Sequence, residues 1–463
     1  MTIFAARRVR RRYVLAVAVI VAVTLALLYR SQAAGETGSG NLFPYAYFVD
    51  DLPNGLRLVT VPTDYPNMVA LYVVVRAGSR DEVESGKSGY AHLFEHLMFR
   101  GSENYTPEQR DALMKRAGAD TNASTNQDRT TYYAVFSKED LDGVLAEEAD
   151  RFQRLKYSEP AYKTESLAVL GEYNKNSSEP LRKLDEVLSE TAFKHHTYAH
   201  TTMGYLQDIQ DMPNQYAYSL EFYKRFYRPE YVTVVVVGDV ARDATLALTR
   251  KYFGGWTRGS HVPAIPPEPP QMESRTAHVE WPSPTLPWVV VAFKGPAYSD
   301  EAKDKVALDL FSEVAFGPNS ELYRRLVLEE QKVDELFVDF ANHPDPELFT
   351  VYARIKNAND MDSVRDRVVS TFARFTNEAV DQAKLDATRS RIRYSFALRM
   401  NSSPAIAASL APYILLRRTP DTINKVFALY QQVTPQDIRT MAAKYFTETN
   451  RTIVTLASKT GTK

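Results

Sequence analysis

Five prolines, Pro263, Pro266, Pro267, Pro269 and Pro270, fall within eight residues of one another. Proline fixes φ and lacks the amide donor, so neither a helix interior nor a central strand passes through such a stretch. The chain must therefore fold as two bodies joined by a stiff, extended linker, placed at 258–275. The flanking pieces, 46–257 and 276–463, are each of ordinary domain size.

The order of elements repeats across that linker. The first half opens with Val- and Leu-rich, strand-like runs at 56–61 and 68–77, a charged loop at 78–87, and then an apolar helix. Thr106-Pro107 starts another helix, with Thr as the cap and Pro at the first helical position. A Thr/Tyr/Val strand follows at 130–137, with helices at 138–156 and 160–174, a buried β-branched strand at 231–237 and a helix at 243–253. The second half repeats the pattern, with a strand at 288–293, a Gly and acidic loop, and a helix. Strands at 336–341 and 348–355, helices within 360–446 and a strand at 452–457 complete it. Phe94-Glu95-His96-Leu97-Met98-Phe99-Arg100-Gly101 lies against Phe311-Ser312-Glu313-Val314-Ala315-Phe316-Gly317, one residue shorter. In this register Asp309, Ser312 and Glu313 stand where His92, Glu95 and His96 stand. The halves read as a degenerate repeat in which the second copy lacks metal-binding residues.

The first of those helices carries the chemistry. In Gly89-Tyr90-Ala91-His92-Leu93-Phe94-Glu95-His96, the two imidazoles lie one turn apart on one face. Histidines at i and i+4 can grip one metal ion, and a third ligand would give the open tetrahedral site of zinc hydrolases. Glu95 borders that face as a general base. H-x-x-E-H is the inverse of the commoner H-E-x-x-H zinc-protease helix. The third ligand has candidates in Glu165 and Glu172, seven apart and hence two turns along one helix face. One could ligate while the other supports it. His196 and His200 share the spacing, but no carboxylate lies between them and their context is loop-like, so their expected role is structural.

Cysteine is absent, so any metal must be held by His, Asp or Glu. Residues 1–34 hold six arginines and no acid, leaving 50 basic against 57 acidic side chains beyond them, a net of −7. No basic face for nucleic acid is indicated. Arg7, Arg8, Arg10, Arg11 and Arg12 precede an apolar run at 13–29, then small residues at 31 and 33. Residues 1–34 are therefore expected to be a signal peptide or membrane anchor, followed by a Gly/Ser linker at 35–45. The body is expected to be exported and periplasmic, either soluble after cleavage or anchored to the inner membrane.

With these residues in view, the chain resembles the pitrilysin/insulinase family of zinc metallopeptidases, the inverzincins. It is most similar to the half-length branch that includes mitochondrial processing peptidase and bacterial relatives. The resemblance spans roughly residues 47–460. It rests on Gly78-Ser79-Arg80-Asp81-Glu82, the motif from Gly89 to Gly101, and Gly118 followed by Asn122-Ala123-Ser124-Thr125. Thr131-Tyr132-Tyr133, the paired Glu165 and Glu172, and Arg228-Pro229-Glu230-Tyr231 running into Val237-Gly238-Asp239-Val240 complete it.

The resemblance implies an α+β fold of two homologous α/β lobes, each an antiparallel-rich mixed sheet packed by helices. Residues 46–257 would be the catalytic zinc-binding lobe and 276–463 the non-metal lobe. It implies one Zn²⁺ per chain on His92, His96 and Glu172, with Glu95 as catalytic base and Glu165 as support behind the ligands. Asn122 and Ala123 would lie in an edge strand to which substrate adds. The implied activity is that of a zinc metalloendopeptidase acting on extended or unfolded peptides. The family's second half supplies an arginine and, seven residues on, a tyrosine that hold the substrate carbonyl. Here Val327 and Asp334 occupy those positions, and neither can donate a hydrogen bond there. A clamshell heterodimer is therefore expected, with a homologous non-metal subunit supplying the pair. The alternative is a non-catalytic assembly or scaffold subunit, or a peptide-binding module, on the same fold.

Overall fold

The computed structural model describes residues 41–459. The expected signal or anchor segment, and residues 35–40 of the linker after it, lie outside that range. Among the described residues, no helix is long and apolar enough to cross a membrane.

Two sheets form the frame. The first contains β1 (Phe48–Asp51), β2 (Arg57–Pro62), β3 (Met68–Val75), β4 (Asp120–Thr125), β5 (Thr130–Ser137) and β6 (Val232–Gly238), in the order β1-β2-β6-β3-β5-β4. The second contains β7 (Arg275–Trp281), β8 (Trp288–Lys294), β9 (Val333–Asp339), β10 (Leu348–Ile355) and β11 (Arg451–Ser458), in the order β7-β11-β8-β10-β9. Each sheet has one parallel pair, β2 with β6 and β7 with β11, and is otherwise antiparallel. With β1 set aside, the strand orders superimpose. The sequence repeat is thus a repeat of topology. β4 and β9 are equivalent edge strands.

The helices are α1 (Tyr90–Leu97), α2 (Pro107–Arg116), α3 (Leu141–Gln153), α4 (Glu159–Asn176), α5 (Pro180–Ala192), α6 (Leu206–Asp211), α7 (Tyr216–Phe226) and α8 (Arg242–Phe253) in the first half. The second half has α9 (Asp304–Ala315), α10 (Met361–Asn377), α11 (Gln382–Arg399), α12 (Ser403–Arg417), α13 (Asp421–Gln432) and α14 (Pro435–Tyr445). A helical turn at Glu321–Tyr323 runs into a π-helical segment at Arg324–Glu329.

The central strands are β-branched runs because both of their faces are buried. On β3, Leu71, Val73 and Val75 face the core built with α1, while Ala70, Tyr72 and Val74 face the opposite side. That opposite side is covered by the second half of the chain, through Ile406, Leu410 and Ile414 of α12, spaced i, i+4, i+8. The exchange is reciprocal. Leu184, Leu188 and Ala192 of α5 cover the far face of the second sheet, against Val290, Ala292 and Leu456. Each half therefore lends a helix to the other's sheet, which fixes the relation of the two halves through buried apolar surface. Residues 256–274 carry neither helix nor strand, and Glu268 within them accepts the amides of Lys194, His195 and His196.

Candidate metal centre

The site starts from how α1 is anchored. Its N-cap is Gly89, at φ +88, a left-handed conformation that favours glycine. A Cβ there would come within 2.4 Å of Ile209 Cδ1, so the position also leaves no room for a side chain. No side chain at the cap itself receives the first amides. The buried Glu82 carboxylate does so instead, accepting from Gly89 N and Ala91 N at 2.7 Å each. The apolar side of α1, Leu93, Phe94 and Leu97, is buried in the core, which turns the histidine face towards α4.

His92 Nε2 lies 3.5 Å from Glu172 Oε2, and His96 Nε2 lies 3.7 Å from the same oxygen. One ligand atom from each residue lies within 4.8 Å of the other two, the only such metal-capable group among the described residues. Two ligands bound to zinc at its usual bond lengths and tetrahedral angle stand about 3.4 Å apart. The observed spacings fit that geometry, and the donor set of two imidazoles and one carboxylate is one that zinc uses. The cluster is suited to hold a single zinc ion.

The protonation state of His92 suits the same role. Burial pushes the His92 imidazole down to about 4, with neighbouring His96 acting in the same sense and Glu172 opposing. His92 is therefore a neutral, ligand-ready ring at neutral pH. His96 is held above the ordinary imidazole value, chiefly by Glu165 behind it, whose Oε2 lies 3.6 Å from His96 Nδ1. Burial raises the Glu165 carboxyl, but His96 and Arg100 outweigh it and hold the group below the usual carboxylate range. Arg100 Nε reaches Glu165 Oε1 at 2.8 Å.

Glu95 borders the same cavity, of about 320 Å³, with Ala123 and Thr125 of β4 on one wall and Glu172 on another. Burial raises its pKa, only partly offset by the Thr125 hydroxyl, which donates to Glu95 Oε2 at 2.6 Å. The structure thus places Glu95, His92, His96 and Glu172 around one space, with Glu165 behind His96. Asn122 and Ala123 lie on the free edge of the first sheet. The Ala123 amide donates to the Asn122 side chain at 2.9 Å.

Among the described residues, the rival pair joins no metal-capable cluster. His196 Nδ1 accepts from Tyr198 N at 3.0 Å and its Nε2 lies 3.0 Å from Asp345, while His200 Nδ1 meets Thr201 O at 3.0 Å. Val327 sits in the π-helical segment, and Asp334 on β9 is paired with Arg354.

Sequence reasoning missed three supporting groups, Glu82, Arg100 and Thr125. Arg100 follows His96 by four, a helical spacing that could have flagged a shared partner. Thr125 closes the recognised edge-strand motif, but nothing local connects it to Glu95.

The chain is similar to known proteins over most of its length. A family model described as Insulinase (Peptidase family M16) matches residues 57–205, and one described as Peptidase M16 inactive domain matches 215–392. The metal cluster falls in the first and α9 in the second. The chain is 29% identical over 412 residues to the zinc protease PqqE of Helicobacter pylori, covering 88% of this chain and 91% of that one. It is 24% identical over 413 residues to a probable mitochondrial-processing peptidase subunit beta of Schizosaccharomyces pombe, covering 85% and 87%. The crystal structure of a protease from Helicobacter pylori superimposes with a TM-score of 0.83 at 28% identity, covering 89% of this chain and 99% of that one.

Proposed function

The chain belongs to the insulinase (peptidase M16) family, and from that premise we propose that it is the metal-bearing subunit of a two-chain endopeptidase acting on extended peptides outside the cytoplasm. It is a zinc metalloendopeptidase. The observation that carries this is the convergence of His92, His96 and Glu172 on one point beside Glu95. Zinc held there supplies Lewis acidity, which acidifies water and polarises a peptide carbonyl.

The remaining work belongs to the chain's own side chains. Glu95 is the general base, taking a proton on Oε1 or Oε2 from the attacking water and passing it to the leaving amine. Its raised pKa supports that role, since a carboxylate in a partly buried site holds a proton more readily than one in water. Thr125 keeps the carboxylate aimed into the cavity. Glu165, with Arg100, orients the His96 ring from behind. Substrate adds to β4 as a further strand, and the Ala123 amide turns from the Asn122 side chain to a substrate carbonyl. Backbone pairing of this kind is indifferent to most side chains, so it accepts many sequences.

A partner completes the site. Val327 and Asp334 stand where the family's carbonyl-holding arginine and tyrosine are expected, and Asp334 is already engaged by Arg354. A homologous chain that carries the pair and lacks the metal residues faces this one across the cavity. The arginines at 7–12 and the apolar run at 13–29 support export of the body.

The test is cleavage of a quenched extended peptide by the zinc-loaded chain, alone and with a homologous chain bearing Arg and Tyr seven residues apart. Turnover should be weak alone and rise strongly on addition. Full activity alone overturns the heterodimer, and no activity in either arm overturns the peptidase assignment.

A further inference from the structure

Among the described residues, nothing covers the outer face of α11. Tyr394 is 68% exposed and Leu398 74%, one turn apart, and Ala383, Ala387 and Ala397 extend the same exposed stripe. Exposed apolar side chains that adjoin one another suit an interaction surface, unlike ones scattered singly. Basic residues flank the stripe at Lys384, Arg391, Arg393 and Arg399. Arg391 pairs with Glu313, whereas Arg393 and Arg399 have no ion-pair partner among the described residues. Asp381 and Asp386 lie at the N-terminal end of α11, whereas residues 391–399 carry no acid, so the exposed pair Tyr394 and Leu398 between Arg393 and Arg399 is suited to an anionic lipid surface.

The packing of residues 41–45 bears on the occupant. Leu42 and Phe43 belong to the same buried cluster as Phe396 and Met400, on the buried side of α11. Phe43 N donates to Asn424 Oδ1 at 3.0 Å, and the Tyr45 hydroxyl donates to Met400 O at 2.8 Å, just past the end of α11. Asn41 and Leu42 line a small cavity together with Arg393. The polypeptide therefore meets the folded body beside the exposed stripe. Only eleven residues, 30–40, separate that point from the apolar run at 13–29. A stretch of eleven residues reaches at most about 36 Å.

We propose that the Arg393/Tyr394/Leu398/Arg399 face of α11 rests on the surface of an anionic bilayer. This rests on the export reading in its anchored form. Tyr394 and Leu398 enter the interfacial region, and Arg393 and Arg399 meet lipid phosphates. α4, with its Glu172, packs on the other face of the first sheet, so the metal centre stays away from the lipid.

The absence of cysteine makes the test direct. The full chain carrying Leu398→Cys or Leu167→Cys is labelled with an environment-sensitive fluorophore and mixed with phosphatidylethanolamine:phosphatidylglycerol vesicles containing brominated lipid. Leu167 is an exposed control on α4, across the first sheet. The expected result is co-sedimentation, with a blue shift and quenching at position 398 and neither at 167. Arg393→Gln or Arg399→Gln should each lower the equilibrium constant for lipid contact of the face, read from the quenching, about fivefold while sedimentation persists. Sedimentation with an unshifted probe at 398 overturns the face and leaves the export reading standing. A chain that stays in the supernatant overturns the anchor and the face together. Equal quenching in phosphatidylcholine vesicles overturns the role of charge. A shift at 398 that grows with protein concentration without lipid assigns the face to a second copy and overturns the proposal. None of these outcomes depends on zinc or on peptide cleavage.

Discussion

α1 and α9 occupy the same place in two sheets of the same strand order, yet they treat their polar residues in opposite ways. On α1, His92 and His96 turn towards Glu172, and the contacts of the three ligand atoms are with one another. On α9 the corresponding positions are already satisfied. Asp309 takes the buried Lys305 ammonium and the Tyr430 hydroxyl, Glu313 takes Arg391, and the Ser312 hydroxyl returns to the Asp309 carbonyl. Buried polar groups need partners, and protein side chains supply them on α9. On α1 the valences are left for an ion. A metal centre is thus made on this scaffold by leaving a converging set of donors uncommitted. The other copy of the helix has become a structural brace.

The largest effect should follow from the matched pair Glu95→Gln and Ser312→Ala. The first should lower kcat about 10²- to 10⁴-fold with zinc retained, as expected for loss of a general base. The second should leave kcat unchanged, and an equal loss from both would erase the contrast between the helices. Next is Asp309→Ala, which strands the buried Lys305 ammonium. Denaturant unfolding should show a loss of about 3–5 kcal/mol. Folded protein at low denaturant should keep its zinc. A loss under about 1 kcal/mol would show that α9 is not a brace.

The edge strands extend the comparison. Ala123→Pro removes one outward amide from β4, at a position where proline is tolerated by the fold. It should lower kcat/KM for peptides by about five- to tenfold, the worth of one hydrogen bond, with Tm unchanged. An unchanged kcat/KM would remove β4 from substrate binding.

The smallest effect lies at the junction of the halves, where His343 Nδ1 meets Asp128 Oδ2 at 2.6 Å. Burial pulls the His343 pKa down, but Asp128 and Glu347 outweigh it, so the folded value lies above that of the unfolded chain. Its stabilisation is therefore fully present below the unfolded imidazole value and is lost as pH rises through the folded one. The difference in Tm between the native chain and His343→Gln should shrink from pH 6 towards pH 8.5. A difference that grows with pH would reverse the assigned charge state.

Much of this was legible in the sequence because it is local. The His92/His96 pair and the Glu165/Glu172 pair are helical spacings, and the β-branched runs that became β3, β6 and β8 are buried on both faces. The register of α1 against α9 was readable because both helices present the same apolar side to equivalent sheets. What escaped depends on contacts distant in sequence. The cover that α12 gives the first sheet, and α5 the second, shows in sequence only as apolar residues at i, i+4 and i+8, without naming the sheet they meet. Glu82 reads as one more acid in a charged loop until the turn at Gly89 brings the first amides of α1 onto it. Tyr430 lies 121 positions from Asp309, and no periodicity connects them.

The central claim is tested most directly by zinc content and X-ray absorption on the purified full chain, beside His96→Ala and Asp309→Ala. The account predicts one zinc per native chain, bound by nitrogen and oxygen only at about 2.0–2.2 Å, lost in His96→Ala and kept in folded Asp309→Ala. Zinc that survives His96→Ala, or a native chain that takes up none, would contradict it.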